Sequence, residues 1–293
     1  MLSILIPIYN FAVKELVNEL SSQAQNLNIP FEILCVDDTS KSTYVKLNDG
    51  LEKIEGVNYQ LNKKNIGRSS IRNLLTDKAQ YDYLLFLDCD VRIGDNFIKK
   101  YIEIKDESEV ILGGVSYAEY EQLEKSKRLR WKYGRYREER KAHFRNQRPY
   151  ASFSACNLFI NKKVSQNIRF TESLTKYGHE DTLYGAELEF NSYTVMHINN
   201  PIIHLGLDEV SVFLKKTEFA LINLLSLQKS HPSACKNIKI FNYYNFIRKT
   251  LFLTKGIFIF WKYCCRKLLM NGSTNLMVFD LYKLSFILCL KKD

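Results

Sequence analysis

The sequence predicts an α/β protein: a doubly wound, mostly parallel sheet with helices on both faces, followed by a C-terminal α-helical tail. Three observations carry this expectation. Continuous apolar runs such as Ile4-Leu5-Ile6 and Leu84-Leu85-Phe86-Leu87 suit strands covered on both faces. Apolar residues at helical spacing separate these runs in a β/α alternation about ninety residues long. Beyond about residue 207 the strand signals give way to long, aromatic-rich helical stretches, so the simplest partition is 1–206 and 207–293.

The first strand is Leu2 to Tyr9, with Pro7 near its end, where loss of a donor is tolerated. Leu16, Val17, Leu20, Ala24 and Leu27 then recur at helical spacing, and Phe31 to Val36 returns as a strand after Pro30. A weaker helix is expected from Tyr44 to Ile54 and a short third strand from Val57 to Leu61. Asn65 to Leu75 is a loop feeding a helix, and Tyr81 to Leu87 is the fourth strand of the right-handed winding. A helix follows from Asn96 to Ile104, then a strand from Val110 to Val115 and another from Ser154 to Ile160. Tyr193–Ile198 and Ile202–His204 read as a final strand pair around Asn199-Asn200-Pro201. Helices are expected from Glu209 to Leu227, from Phe241 to Leu269, and from Leu276 to Leu290.

At 293 residues the chain can bury one large core plus an appendage, or form two small domains, and an apolar content of 46% fits a folded protein. The balance of 42 basic against 32 acidic residues, a formal +10, points to an anionic partner: nucleic acid, a nucleotide or a membrane surface. Seven cysteines (35, 89, 156, 235, 264, 265, 289) fall at no metal-ligand spacing and read as reduced packing residues of a cytosolic protein. No basic leader with an apolar segment and a small-residue cleavage site opens the sequence, so no signal peptide is expected. No uninterrupted apolar stretch reaches eighteen residues, so no spanning helix is expected either.

Candidate chemistry collects where the expected strands end. Asp88 and Asp90 follow a buried strand two positions apart, and two hard oxygen ligands there suit Mg²⁺ or Mn²⁺ carrying substrate phosphates. A helix cap and a turn would use the same residues. Asp37-Asp38 ends the second strand and can present a carboxylate above the sheet. Arg68 and Arg72 share one face at a helix start, a natural place for a pyrophosphate, although solvated arginines adopt the same spacing. His179-Glu180-Asp181 bundles three titratable groups at another helix start, where a general base would be sought and where capping also places acids. Between Lys125 and Arg148 stand eleven Lys or Arg against two acids, with aromatic residues interleaved. That segment reads as a solvated helix or loop, as a lid or acceptor platform facing anionic groups, or as a base-stacking surface. In the tail, Lys255, Lys262, Arg266 and Lys267 lie among aromatic residues. Either these helices pack on the sheet and on one another or they lie in a membrane interface, the reading favoured from the pattern.

Taken in order, Ser3-Ile4-Leu5-Ile6-Pro7-Ile8-Tyr9-Asn10, Val36-Asp37-Asp38, Gly67 with Arg72-Asn73, Leu87-Asp88-Cys89-Asp90 and Glu180-Asp181 resemble the motif series of the family-two inverting glycosyltransferases of the GT-A fold, of the bacterial cell-surface polysaccharide type. The resemblance spans about residues 1–205 and not the tail. It implies a nucleotide-sugar donor, most often a UDP-sugar, and a saccharide or lipid-linked acceptor. Pro7 and Tyr9 would flank the base, Asp38 would accept from its ring N–H, and Arg72, with Arg68, would face the diphosphate. Asp88 and Asp90 match the DxD motif, Asp88 towards ribose and sugar and Asp90 towards Mn²⁺ or Mg²⁺. Asp181 matches the catalytic base, with Glu180 positioning the acceptor, and His204 resembles a histidine that completes the metal shell in part of the family. Two departures stand out: Thr39-Ser40 where the family usually has Gly-Ser, and His179 where it often has glycine. The implied setting is cytoplasmic, at the inner face of the cell membrane, in polysaccharide biosynthesis.

Two other classes compete. A nucleotidyltransferase would use the same sheet, metal and aspartates but wants a glycine-rich phosphate loop after the first strand, and Asn10-Phe11-Ala12-Val13 supplies none. A non-enzymatic basic protein binding membrane or nucleic acid explains the segment from Lys125 to Arg148 and leaves both acidic motifs without a role, which makes nucleic acid the poorer partner.

Overall fold

In a computed structural model describing residues 1–119, 122–173, 177–232, 238–247 and 251–290, with backbone alone at 239 and 251–255, the chain forms two compact units. Met1–Ala118, Glu139–Thr175 and Glu180–Gly206 make the first; Glu119–Glu138, Lys176–His179 and Leu207–Asp293 make the second. Cys235, residues 248–250 within the expected helix Phe241–Leu269, and the Lys255 side chain lie outside the described residues.

The first unit begins with β1 (Leu2–Ile8), α1 (Lys14–Asn26), β2 (Phe31–Asp37), α2 (Ser42–Leu47), β3 (Val57–Leu61), α3 (Arg68–Lys78) and β4 (Tyr83–Leu87). It continues with β5 (Val91–Arg92), α4 (Phe97–Ile102), β6 (Val110–Leu112) and β7 (Val115–Ser116). A seven-stranded sheet runs β3-β2-β1-β4, then β8 (Asn157–Asn161), β6 and β9 (Val195–His197); β8 alone is antiparallel to its neighbours. Strand alternation explains why the runs are apolar throughout. Ile4, Ile6 and Ile8 of β1 and Leu85 and Leu87 of β4 join one core with Leu16, Val17 and Leu20 of α1. Leu5, Leu84 and Phe86 join the other with Ile71 and Leu75 of α3. Each face of the sheet is therefore sealed by helices, and function is left to the strand ends.

Two expected elements are rearranged. The strand expected from Val110 to Val115 divides at Gly113-Gly114 into β6 of the large sheet and β7 of a three-stranded sheet ordered β5-β10-β7, with β10 at Ile202–His204. A Cβ on Gly113 would stand 2.2 Å from the Tyr101 hydroxyl and 2.4 Å from the Asn200 carbonyl, and Gly114 has φ +89°, so the chain changes sheets where only glycine fits. The expected pair around Asn199-Asn200-Pro201 does not pair with itself. β9 runs parallel to β6, while β10 pairs with β5 and β7. Asn199 accepts from the Ala142 amide at 2.8 Å and Asn200 donates to the Phe97 carbonyl at 2.9 Å, so these side chains carry the chain across instead of turning it back.

The second unit gathers α5 (Arg128–Tyr133), α9 (Val210–Ser230), α10 (Lys239–Ile247), α11 (Leu251–Met270) and α12 (Leu276–Cys289). Between α5 and α9 in sequence come α6 (Ala142–Arg145), α7 (Lys162–Asn167) and α8 (Glu180–Phe190) of the first unit. Leu129, Phe213, Leu214, Leu269, Phe279 and Tyr282 form the helical core. The ring of Tyr133 stands 5.5 Å from those of both Phe213 and Phe279. The basic segment is largely spent on structure. Arg130 pairs with Glu138 at 3.1 Å and Arg137 with Asp280 at 2.8 Å within this unit. In the first unit, buried Arg145 donates to the carbonyls of Leu112, Gly113 and Ile198 and meets His197 Nδ1 at 2.7 Å.

Candidate active site

Three parallel strands end beside one another in the first unit, and the chain leaves each through a polar turn. After β1, Tyr9 is 57% exposed and Asn10 adopts φ +52°. After β2, Asp37 accepts from the Ser40 amide at 2.7 Å and closes its own turn. Asp38 is buried, and its carboxylate accepts from the amides of Ile66 at 2.8 Å and Gly67 at 2.9 Å and from Asn62 Nδ2 at 3.3 Å. It thereby fixes the entry to α3, where Gly67 takes φ +86°. After β4, the strand stops at Leu87, and Asp88 and Asp90 lie in the turn towards β5 with different neighbours.

Arg72, on α3, stands at the centre of the charged groups. Its side chain is 2% exposed, its Nη2 donates to Asp88 Oδ1 at 2.9 Å, and its Nη1 lies 3.7 Å from Asp181 Oδ1. The guanidinium also sits over the Phe170 ring, 5.2 Å from the centroid. One arginine thus joins two acids 93 positions apart in sequence. Arg68, one turn earlier, reaches Glu180 at 3.5 Å.

Asp181 lies in the first turn of α8, its Oδ2 accepting from the Ala155 amide at 3.1 Å and Ser154 Oγ at 3.2 Å. Among the described residues, Asp181 Oδ1 and Arg72 Nη1 are buried polar atoms without a hydrogen-bond partner, facing each other across the 3.7 Å gap. Burial pushes the Asp181 carboxyl up to about 6, with Glu180 and Asp88 adding to the rise and Arg72 and the Ala155 N–H opposing it. Asp88 behaves oppositely. Burial would raise it, but Arg72 and Arg68 together hold it below the usual carboxylate range.

Asp90 faces His204. The two-residue strands β5 and β10 pair antiparallel, with His204 opposite Val91, and bring His204 Nε2 to 3.7 Å from Asp90 Oδ2. His204 stacks on Tyr117, ring centroids 5.5 Å apart, and its Nδ1 is buried without a partner among the described residues. Behind Asp90, a Cβ on Gly206 would stand 1.9 Å from Oδ2.

A carboxylate and an imidazole at this separation suit a divalent cation. No three His, Cys, Asp or Glu side chains among the described residues make a closed cluster. The donor set therefore fits an ion that brings phosphate oxygens and water as its other ligands.

The candidate residues Arg68, Arg72, Asp88, Glu180 and Asp181 come together through direct ion pairs, and Asp90 and His204 form a second pair. Pro7 and Tyr9 sit at the end of β1, and Asp38 is occupied with backbone donors. Sequence reasoning passes over Ser154, Ala155 and Gly206. Only Gly206 leaves a signal, a glycine two positions past a strand-end histidine.

The sequence model of the family described as glycosyl transferase family 2 matches residues 3–168. The chondroitin synthase of Escherichia coli is 25% identical over 228 residues, covering 64% of this chain and 32% of that protein. S. aureus TarS 1–349, solved in complex with UDP-GlcNAc, superposes with a TM-score of 0.51 at 19% identity, over 76% of this chain and 66% of its own. The mannosyltransferase PcManGT from Pyrobaculum calidifontis, solved with GDP-Man and Mn²⁺, gives 0.51 at 12% identity, over 78% and 64%. These superpositions bear on fold, which is of the GT-A type. The chain spans less than half the length of the curated relatives it matches.

Proposed function

Because the chain belongs to glycosyl transferase family 2, we propose that it moves a sugar from a nucleotide-sugar donor, a UDP-sugar, to a hydroxyl of a saccharide or lipid-linked acceptor with inversion at the anomeric carbon. The observation that carries this reading is Arg72, which pairs with Asp88 at 2.9 Å and faces Asp181 at 3.7 Å. It ties the diphosphate side of the site to the acid-base side.

In this reading the base lies against the exposed Tyr9 ring and Pro7. Asp38 holds the facing loop with three of its roughly four acceptor positions, and the fourth is left for a ring N–H. Asp88 faces ribose and sugar, and Arg72 with Arg68 offsets the diphosphate charge. Asp90 and His204, with Asp88, would hold Mn²⁺ or Mg²⁺, which supplies charge neutralisation for the departing diphosphate. Glu180, held by Arg68, positions the acceptor. Asp181 takes the proton of the acceptor hydroxyl as its oxygen attacks the anomeric carbon and the bond to the diphosphate breaks on the opposite face. One displacement suffices, and no covalent nucleophile is required. The setting is the cytoplasmic face of the cell membrane, where lipid-linked acceptors are extended.

A thermal-shift screen of nucleotide sugars with and without Mn²⁺ tests the proposal. A ligand at a hundredfold excess over its Kd adds about 2.7 kcal/mol to native-state stability, so a donor raises the melting temperature by several degrees, more so with Mn²⁺. A flat response to every UDP-sugar would overturn it.

A further inference from the structure

The +10 of the chain is not shared between its units. The first carries 20 Lys and Arg against 23 Asp and Glu, a net −3; the second carries 22 against 9, a net +13. The excess therefore belongs to the unit that holds none of the residues assigned to transfer, and their charges do not account for it.

The same unit exposes an apolar face. Along α11 the inward positions recur at helical spacing: Phe258 and Lys262 are partly buried, Cys265 and Leu269 fully so, in the helical core. The outward positions would be polar on an ordinary surface helix. Here Ile257, Phe260, Trp261, Tyr263, Leu268 and Met270 are each between 42% and 66% exposed. Single exposed apolar residues need no explanation, but a run of large ones on one helix marks a surface that meets something.

Charge and composition select the occupant. Two copies of a unit at +13 repel each other, which disfavours self-association through this face. An anionic bilayer attracts the same unit, at about 1 kcal/mol per Lys or Arg brought near it. Trp, Tyr and Phe seek the boundary between headgroups and acyl chains. Among the described residues no helix is long and apolar enough to cross a membrane, so contact would be made lying flat. Lys262 and Lys267 stand on α11 with no ion pair among the described residues. Arg266, counted with them in the sequence, is already used: it donates to Glu218 at 2.8 Å and to the Tyr282 hydroxyl at 3.1 Å.

We infer that the outward face of α11 is a docking surface for an anionic lipid bilayer, with its aromatic and aliphatic side chains entering the headgroup boundary and the exposed Lys267 meeting lipid phosphate. This attachment stands independently of the transfer reaction.

Vesicle flotation of the full chain tests it, using phosphatidylcholine alone and phosphatidylcholine with phosphatidylglycerol. The chain floats with the anionic vesicles, more weakly as salt rises, and with phosphatidylcholine alone at least about tenfold less. The exposed-site variants Phe260→Ser/Leu268→Ser and Lys267→Glu, shown folded by unchanged melting, each lose about tenfold or more. Absence of flotation with anionic vesicles overturns the inference, as does equal flotation of wild type and both variants. So does a dimer in sedimentation that Phe260→Ser/Leu268→Ser dissolves, because the face would then belong to a second copy. The same variants keep their donor-induced thermal shift, so loss of docking is read separately from any failure of the transfer proposal.

Discussion

Asp181 is a carboxylate held between opposed influences. Burial and two neighbouring acids push its carboxyl up to about 6, while Arg72 pulls the other way. In its proposed role as general base Asp181 works deprotonated, so transfer is expected to rise with pH through about 6 and to level off above it, as a pH–rate profile would read. Asp181→Asn keeps the shape and removes the proposed base. Transfer, measured as UDP release, is expected to fall by about a hundred- to ten-thousandfold with the donor-induced thermal shift retained. Arg72→Ala takes away the opposing charge, so the midpoint of any residual pH profile moves upward. It also leaves acids without their buried partner at a cost of about 3 kcal/mol, read from chemical denaturation. An unchanged midpoint would remove Arg72 from the account of the base.

At the scale of elements, the Asp90–His204 pair depends on two short strands and a glycine. In Gly206→Ala the new methyl would occupy the space of Asp90 Oδ2 and turn that carboxylate away from His204. Mn²⁺ affinity in the presence of UDP is expected to drop about ten- to hundredfold, the usual effect of disturbing a ligand's support, with melting nearly unchanged. Calorimetric titration checks it. The β/α winding could be read from the sequence because strands covered on both faces and helices covered on one have distinct apolar periods. The Asp88 and Asp181 motifs were legible because acids follow apolar strands or open helices. The small sheet was not. β5 and β7 contribute two residues each, too few for a period, and their pairing with β10 is set by Gly113-Gly114 and by the Asn199 and Asn200 side chains. The bonds of Asp38 to Ile66 and Gly67, and of Asp181 to Ala155, were hidden for a related reason: a backbone N–H carries no residue identity to read.

For the whole molecule, the partition is not a single cut. The second unit takes in residues 119–138, so its core closes only when Leu129 and Tyr133 meet Phe213, Leu269 and Phe279. A chain ending after Gly206 keeps those apolar side chains and loses what covers them. Its soluble yield is expected to fall and its size-exclusion profile to shift towards aggregates, whereas a cleanly separable tail would leave both unchanged. The interleaving also sets a timetable at the ribosome. Tyr133 is synthesised 146 residues before Phe279, an interval on the order of ten seconds at ordinary elongation rates. The sheet can assemble while α5 still waits, apolar side uncovered, for helices not yet translated. During that interval the nascent chain shows the kind of uncovered apolar surface that chaperones bind.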